Sequence, residues 1–516
     1  MLCLPRWLGG LFRWRFFRFG RGGFLFRYDP RGVIKVIKAG SAGLVSAYIA
    51  AAVRAKVTLI ESERMGGDCL NTGCVPSKAL LRASRLLAQA KKASALGLGR
   101  IDIDFRFDQV MERVHDAIQK VEPHDSVERY RELGVECIQG KARIVSPWEV
   151  EVQSLKGNQS DRSDVQRLSA PKIIVAAGAS PCRPDLPEAD NIDYLTSDTV
   201  WNLRELPSPL LVLGGGPIGC ELAQAFARFG ASVTLVERRS RLLSREDDEV
   251  SMAVQRALQA DGVDLRLGCD ALRFERQDDG GILHAFEHGR PCQIAFKKVL
   301  CALGRVPNIS GYGLEELGIG ISEKGSIEVD EFLRTSCPSI YAAGDVASSY
   351  QFTHAASHMA WHATVNALFG GFRRFSIDWT ALPWCTFTDP EIARVGLCEK
   401  EASERGVPYE LTRFGLEELD RAIIDVSTTG FVKVLTVPGT DRILGATIVG
   451  EHAGEMIGEF VTAMRHRLGL GKILSTIHVY PTFSEANKYV AGQWKREHAP
   501  KRMLALLERF HAWQRH

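Results

Sequence analysis

Val33-Ile34-Lys35-Val36-Ile37-Lys38-Ala39-Gly40-Ser41-Ala42-Gly43 is a β-branched run that ends in a small-residue turn. An alanine-rich stretch follows, then a second apolar run, Val57-Thr58-Leu59-Ile60, closed by Glu61. Strand, tight turn, helix, strand and acid in that order form the βαβ unit that binds a dinucleotide. The pattern recurs downstream: Leu210 to Leu213 predict a strand, Gly214-Gly215-Gly216-Pro217-Ile218-Gly219 the turn, Cys220 to Phe229 the helix, and Val233 to Val236 a strand closed by Glu237. From last glycine to acid the spacing is 18 residues in both units. In each, glycines Gly40 and Gly43, or Gly214, Gly216 and Gly219, let the backbone approach a pyrophosphate at a helix N-terminus, and Glu61 or Glu237 takes the ribose hydroxyls. The units differ at one position. Lys38 stands where Gly214 stands, so a turn that needs positive φ would be strained by about 1 kcal/mol.

Directly after the first unit comes Gly66-Gly67-Asp68-Cys69-Leu70-Asn71-Thr72-Gly73-Cys74-Val75-Pro76-Ser77-Lys78. Two cysteines five apart near a helix start are placed where free amides and the helix dipole favour a thiolate, and Pro76 suits an early helical turn. Twelve cysteines in 516 residues are too sparse for a secreted disulfide framework, so a reducing cytoplasm is the expected location. The others, from Cys137 to Cys398, show no metal-ligand spacing and read as packing residues.

This combination resembles the flavin-dependent pyridine nucleotide-disulfide oxidoreductases, the family of dihydrolipoamide dehydrogenase, glutathione reductase and mercuric reductase. The resemblance spans about residues 33 to 495 and includes Ala176-Ala177-Gly178, Ala302-Leu303-Gly304-Arg305, Tyr341-Ala342-Ala343-Gly344-Asp345 and Tyr480-Pro481-Thr482-Phe483-Ser484-Glu485. It implies an α/β fold with two Rossmann-like dinucleotide-binding domains, for FAD and NAD(P), and an α+β C-terminal dimerisation domain. The expected layout is FAD-binding residues 33–185 and 309–380, NAD(P)-binding residues 186–308, a dimerisation domain at 381–495 and a tail helix at 496–516. By the same resemblance, Gly140, Ala176, Ala177, Gly178 and Asp345 line the FAD site, Lys78 lies near the flavin paired with Glu221, and Gly304 touches the nicotinamide nucleotide. Hydride passes from NAD(P)H to flavin, then electrons pass to a Cys69-Cys74 disulfide and on to an acceptor. Cys74 faces the flavin as the thiolate, Cys69 is the exposed thiol, and a homodimer completes the site. Glu237 favours NADH, although Arg238 and Arg239 leave NADPH open.

One departure stands out. The family's disulfide reductases place a histidine base before the proline of the closing motif, oriented by a glutamate; here Tyr480 holds that position and Glu485 the glutamate's. A phenol titrates near 10, roughly 3.5 units above imidazole, and accepts protons poorly at neutral pH. His478 would share a face with Tyr480 in an extended segment, as a stand-in base or as a structural residue. Tyrosine here resembles mercuric reductase, yet no cysteine follows Cys398 to deliver a metal. The acceptor therefore stays open among a disulfide, a soft metal ion and a small electrophile such as a quinone. A flavin-free nucleotide-binding interaction protein is the alternative from another class.

Composition excludes other classes. Apolar residues at 45% and charged residues at 25% fit a globular, multidomain chain. Val346 to Phe372, the longest stretch without acid, lysine or arginine, is broken by three histidines, so a membrane span is not expected. Residues 1–31 hold seven arginines, one aspartate and nine aromatics, a net +6, which leaves the rest at −3 and argues against a nucleic-acid-binding core. Segment 1–32 reads as an unstructured start or as an interfacial membrane anchor. The tail from Pro500 reads as a basic surface helix with Met503, Leu504, Leu506 and Leu507 on its apolar side.

Overall fold

The computed structural model describes residues 33–155 and 165–515; the N-terminal basic, aromatic segment lies outside them. Val33–Ile37, almost wholly apolar, lies inside a seven-stranded sheet, as a continuous β-branched run requires. The order across this sheet is Ile340–Ala342, Lys172–Val175, Val33–Ile37, Lys56–Glu61, Glu136–Ser146, Glu149–Ser154 and Val165–Ser169. The first five strands are parallel and the last two pairings antiparallel. Val33–Ile37 has Lys56–Glu61 on one side and Lys172–Val175 on the other, so the chain reverses its direction of travel there. A crevice opens beyond the carboxyl ends of strands at such a switch point, and the 38–43 turn occupies it.

The second unit repeats the device in a five-stranded parallel sheet, ordered Asp264–Leu267, Val233–Glu237, Leu210–Leu213, Lys298–Cys301 and Tyr194–Leu195. Its glycine turn also sits at the switch point. A three-stranded antiparallel ribbon, Cys269–Gln277, Gly280–Glu287 and Arg290–Phe296, covers one side. Residues 383–450 supply a third sheet, five antiparallel strands packed under helices Ala453–Arg465 and Glu485–Glu497. The α/β class with two Rossmann-type layers and a C-terminal α+β layer is thus as expected.

Small residues let helix Ser41–Ala52 pack against helix Thr353–Phe369. Ala47 and Ala50 of helix Ser41–Ala52, and Ala360 and Ala363 of helix Thr353–Phe369, are fully buried where the two helices meet. One predicted boundary moves: the helix expected from Cys220 begins at Pro217, with proline in the first turn. Among the described residues no helix is long and apolar enough to cross a membrane.

Candidate active site

Both nucleotide turns show the same cradle. Glu61 accepts hydrogen bonds from the amides of Ala39 (2.5 Å) and Glu63 (2.8 Å), and Glu237 accepts from those of Gly215 (2.7 Å) and Arg239 (2.8 Å). Each carboxylate is therefore held at the strand end before any ligand arrives, aimed across the helix start. Gly43 and Gly219 are compulsory, because a Cβ would come 1.8 Å from the Lys38 carbonyl oxygen in one turn and 1.9 Å from that of Gly214 in the other. At Gly216, Gly178 and Gly304 a Cβ would meet open space, room for a ligand to approach the backbone. These turns and carboxylates fit dinucleotides.

Lys38 does take the strained conformation, at φ +76°, matching Gly214 at φ +105°. Its ammonium turns to the rim, 2.8 Å from Glu63 and 3.5 Å from Glu61, and Lys38 therefore leaves the phosphate turn itself to backbone amides. A cleft of about 1040 Å³ opens beside it, lined by Glu61, Arg64, Met65, Asn71, Ile138 and Trp201 among others. Gly140 follows this cleft's edge, and its missing side chain is explained by packing: a Cβ would lie 2.7 Å from the Gln153 carbonyl oxygen on the neighbouring strand.

Asn71 and Thr72 carry the cleft wall to the cysteines. Cys74 opens helix Cys74–Lys91, whereas Cys69 sits in the separate short helix Gly67–Asn71. Both thiols are free. The hydrogen bond between them divides their roles: it pushes the Cys69 thiol up and, with help from Thr353 and Lys78, draws Cys74 down to about 6. Of the two, Cys74 is thus the sulfur that ionises more readily. Thr353 Oγ1, 3.3 Å from Cys74 Sγ, stands at the first turn of helix Thr353–Phe369. Cys74 is the more exposed of the two sulfurs and Cys69 is half-buried.

Lys78, one helical turn beyond Cys74, pairs with Glu221 at 2.8 Å and lies 4.5 Å above the Phe387 ring. Glu221 also accepts the Phe387 amide at 2.8 Å, so one carboxylate of the second unit ties the redox helix to the third sheet. Ala176, Ala177 and Gly178 follow strand Lys172–Val175 and are fixed by Asn308, whose amide groups bond the Gly178 and Ala177 carbonyls at 3.0 Å. Gly304 bonds the Cys182 amide through its carbonyl. Burial pushes the Asp345 carboxyl up to about 6, against the pull of the nearby Arg305. Arg305 itself bonds Asp68 and the Ala179 carbonyl.

The three residues expected near the closing motif separate. Tyr480 is 63% exposed, and its hydroxyl donates to Asp420 at 2.9 Å, which raises the phenol still further. The His478 side chain is buried, held by Glu459 at 3.0 Å and the Thr476 carbonyl at 3.1 Å, and thus does not share the face of Tyr480. Glu485 is buried and accepts the Thr482 amide at 3.2 Å, which fixes the turn leading into helix Glu485–Glu497. Asp420, Glu459 and Thr353 carry these contacts, and no short motif marks them. The nearest sequence signal for Thr353 is the polar start of an otherwise alanine-rich run.

Comparison with known proteins agrees with this geometry. The family profile described as pyridine nucleotide-disulphide oxidoreductase matches residues 34–360, and that of its dimerisation domain matches residues 382–491. A mercuric reductase of Bacillus cereus is 34% identical over 453 residues, 88% of this chain and 70% of that protein. A dihydrolipoyl dehydrogenase of Bacillus subtilis (strain 168) is 32% identical over 471 residues, 88% of this chain and 96% of that one. Among solved structures, the Cu(II) complex of the HOCl-induced flavoprotein disulfide reductase RclA from Escherichia coli superposes with a TM-score of 0.78 at 27% identity, covering 89% of this chain and 98% of that one.

Proposed function

The chain belongs to the pyridine nucleotide-disulphide oxidoreductase family, and from that premise we propose that its Cys69-Cys74 pair passes electrons to a soft, thiol-seeking metal ion. The protein is an FAD-dependent NAD(P)H oxidoreductase that works through a redox-active cysteine pair. Bound FAD supplies the two-electron relay between the nicotinamide and that pair. Gly40, Gly43, Glu61, Asp345 and the 176–178 turn hold it, and Lys78 with Glu221 stands beside the cysteines. Gly214, Gly216, Gly219 and Glu237 hold the nicotinamide nucleotide. Glu237 presents a carboxylate to the ribose while the Arg239 guanidinium turns to Ser244, which supports NADH over NADPH.

The oxidised pair takes up two electrons and one proton to give the Cys69 thiol and the Cys74 thiolate. A soft divalent cation then binds both sulfurs and releases the Cys69 proton to water. The two thiolates then give up two electrons to the bound cation, which leaves as the neutral metal while the sulfurs join as the disulfide, so one NADH reduces one cation. No base is needed at any step. A disulfide acceptor differs: with Cys74 set against the flavin, as the family resemblance implies, the attacker is Cys69, whose thiol must first give up its proton.

Tyr480 carries the choice of acceptor: in the position of the family's base stands a phenol whose hydrogen bond to Asp420 makes it a weaker proton acceptor than free tyrosine. Ile477, 95% exposed, and Val479, 76% exposed, form with Tyr480 an apolar face on the dimerisation layer, which supports a homodimer in which Tyr480 of the partner subunit closes the site. The test is NADH oxidation by the holoenzyme with Hg²⁺ under excess small thiol, against lipoamide and oxidised glutathione. Hg²⁺ turnover should exceed both, and Tyr480→His should raise disulfide turnover by about 100-fold. Faster disulfide than Hg²⁺ turnover in the unaltered protein would overturn the reading.

A further inference from the structure

We propose that helix Lys501–Gln514 is a docking element for an anionic lipid surface. Every residue from Lys501 to Arg515 is exposed, although the helix carries Met503, Leu504, Leu506, Leu507, Phe510 and Trp513. At roughly 100° per residue these six fall on one half of the circumference, interrupted only by His511 and Gln514. Lys501, Arg502, Glu508, Arg509 and Arg515 occupy the other half. Leu506 is 64% and Trp513 72% exposed, and the ring contacts recorded for Phe510 are with His511 and Trp513 of the same helix. Among the described residues a helix so divided buries nothing, whereas leucine, phenylalanine and tryptophan on one face and arginine and lysine on the other suit the headgroup boundary of a bilayer.

Charge selects the occupant. Four basic side chains against Glu508 give residues 501–515 a net +3, and residues 1–31 add +6, so all remaining residues carry −6. A second copy of the helix would bring like charge against like, and the dimerisation profile ends at residue 491, ten residues before the helix begins. Anionic headgroups attract such a surface by about 1 kcal/mol for each lysine or arginine near it. Stable attachment takes two signals, an inserted apolar element and a basic patch, and this helix joins both while the arginine- and aromatic-rich residues 1–31 repeat the chemistry at the other end of the chain.

Flotation of the full-length holoprotein with phosphatidylcholine vesicles, with and without about 30% phosphatidylglycerol, tests this. At least ten-fold more protein should float with the anionic vesicles, and about 0.5 M salt should reverse most of it. Leu506→Glu, Phe510→Glu and Trp513→Glu together should cut flotation at least ten-fold while NADH oxidation in solution stays unchanged, since all three side chains are exposed among the described residues. Equal flotation with neutral vesicles, or flotation unaffected by the triple substitution, would overturn the proposal. So would conversion of the triple variant from dimer to monomer on sizing, which would make the helix a contact between copies.

Discussion

At the scale of single residues, the reactivity of Cys74 depends on donors that reach its sulfur. Cys69 gives the main hydrogen bond and Thr353 a second, and together they hold the thiol down at about 6. Thr353→Ala removes one donor to the thiolate, so the Cys74 pKa rises and alkylation by iodoacetamide shifts its midpoint to higher pH, with about a three-fold slower rate near pH 6. Thr353→Ser should restore the midpoint. Peptide mass mapping of Cys74 against pH measures both, and an unmoved midpoint in the alanine variant would remove Thr353 from the site. The cysteine pair was legible because its spacing beside a nucleotide turn is itself a signal. Thr353 was not: it lies 279 residues from Cys74, and a hydroxyl at a helix start has many ordinary uses. Asp420 and Glu459 escaped for the same reason, since each acts through a contact across a fold that local pattern does not encode.

Among the elements, the two glycine turns were read almost whole, because their constraint is local. A backbone that must pass a carbonyl within 1.9 Å of a Cβ position admits glycine alone, and the requirement is visible wherever the chain makes that turn. Gly219→Ala should therefore displace the start of helix Pro217–Arg228 and weaken NADH reduction of the protein at least ten-fold. The yellow flavin spectrum should persist, because the first turn is untouched; loss of colour would show the two units to be energetically one. Lys38 marks what pattern left open. Its turn is strained as expected, at φ +76°, but its side chain finds Glu61 and Glu63 at the rim, so the strain is local and the cradle intact. His478 and Tyr480 show the converse: strand alternation predicted a shared face, and an irregular 476–481 segment sends one inward to Glu459 and the other outward to Asp420.

For the molecule as a whole, Lys433 is a joint. Its side chain is 1% exposed on strand Phe431–Thr436 and meets Asp247 at 2.6 Å, Glu249 at 2.6 Å and Glu399 at 2.9 Å, tying the nicotinamide layer to the third sheet. Burial opposes the ammonium and the three carboxylates outweigh it, so its pKa is raised; Asp247 is likewise depressed despite burial. Lys433→Met strands carboxylates with no counter-charge and should cost about 3–5 kcal/mol near neutral pH. A depressed carboxylate stabilises above its unfolded pKa of about 3.9 and loses that as pH falls, so the gap between variant and unaltered protein should narrow below about pH 4. Denaturant titrations at both pH values check it, and an equal gap would show that the loss is packing alone. The sequence by itself determined the two nucleotide units, the cysteine pair between them and the α/β class, because these are set by steric limits and periodicities acting over a few neighbouring residues. Only the tertiary structure decided which groups reach the Cys74 sulfur, what holds Tyr480 and His478, and that the last helix buries no side chain among the described residues. Those outcomes depend on burial and on charges that folding brings together from distant parts of the chain.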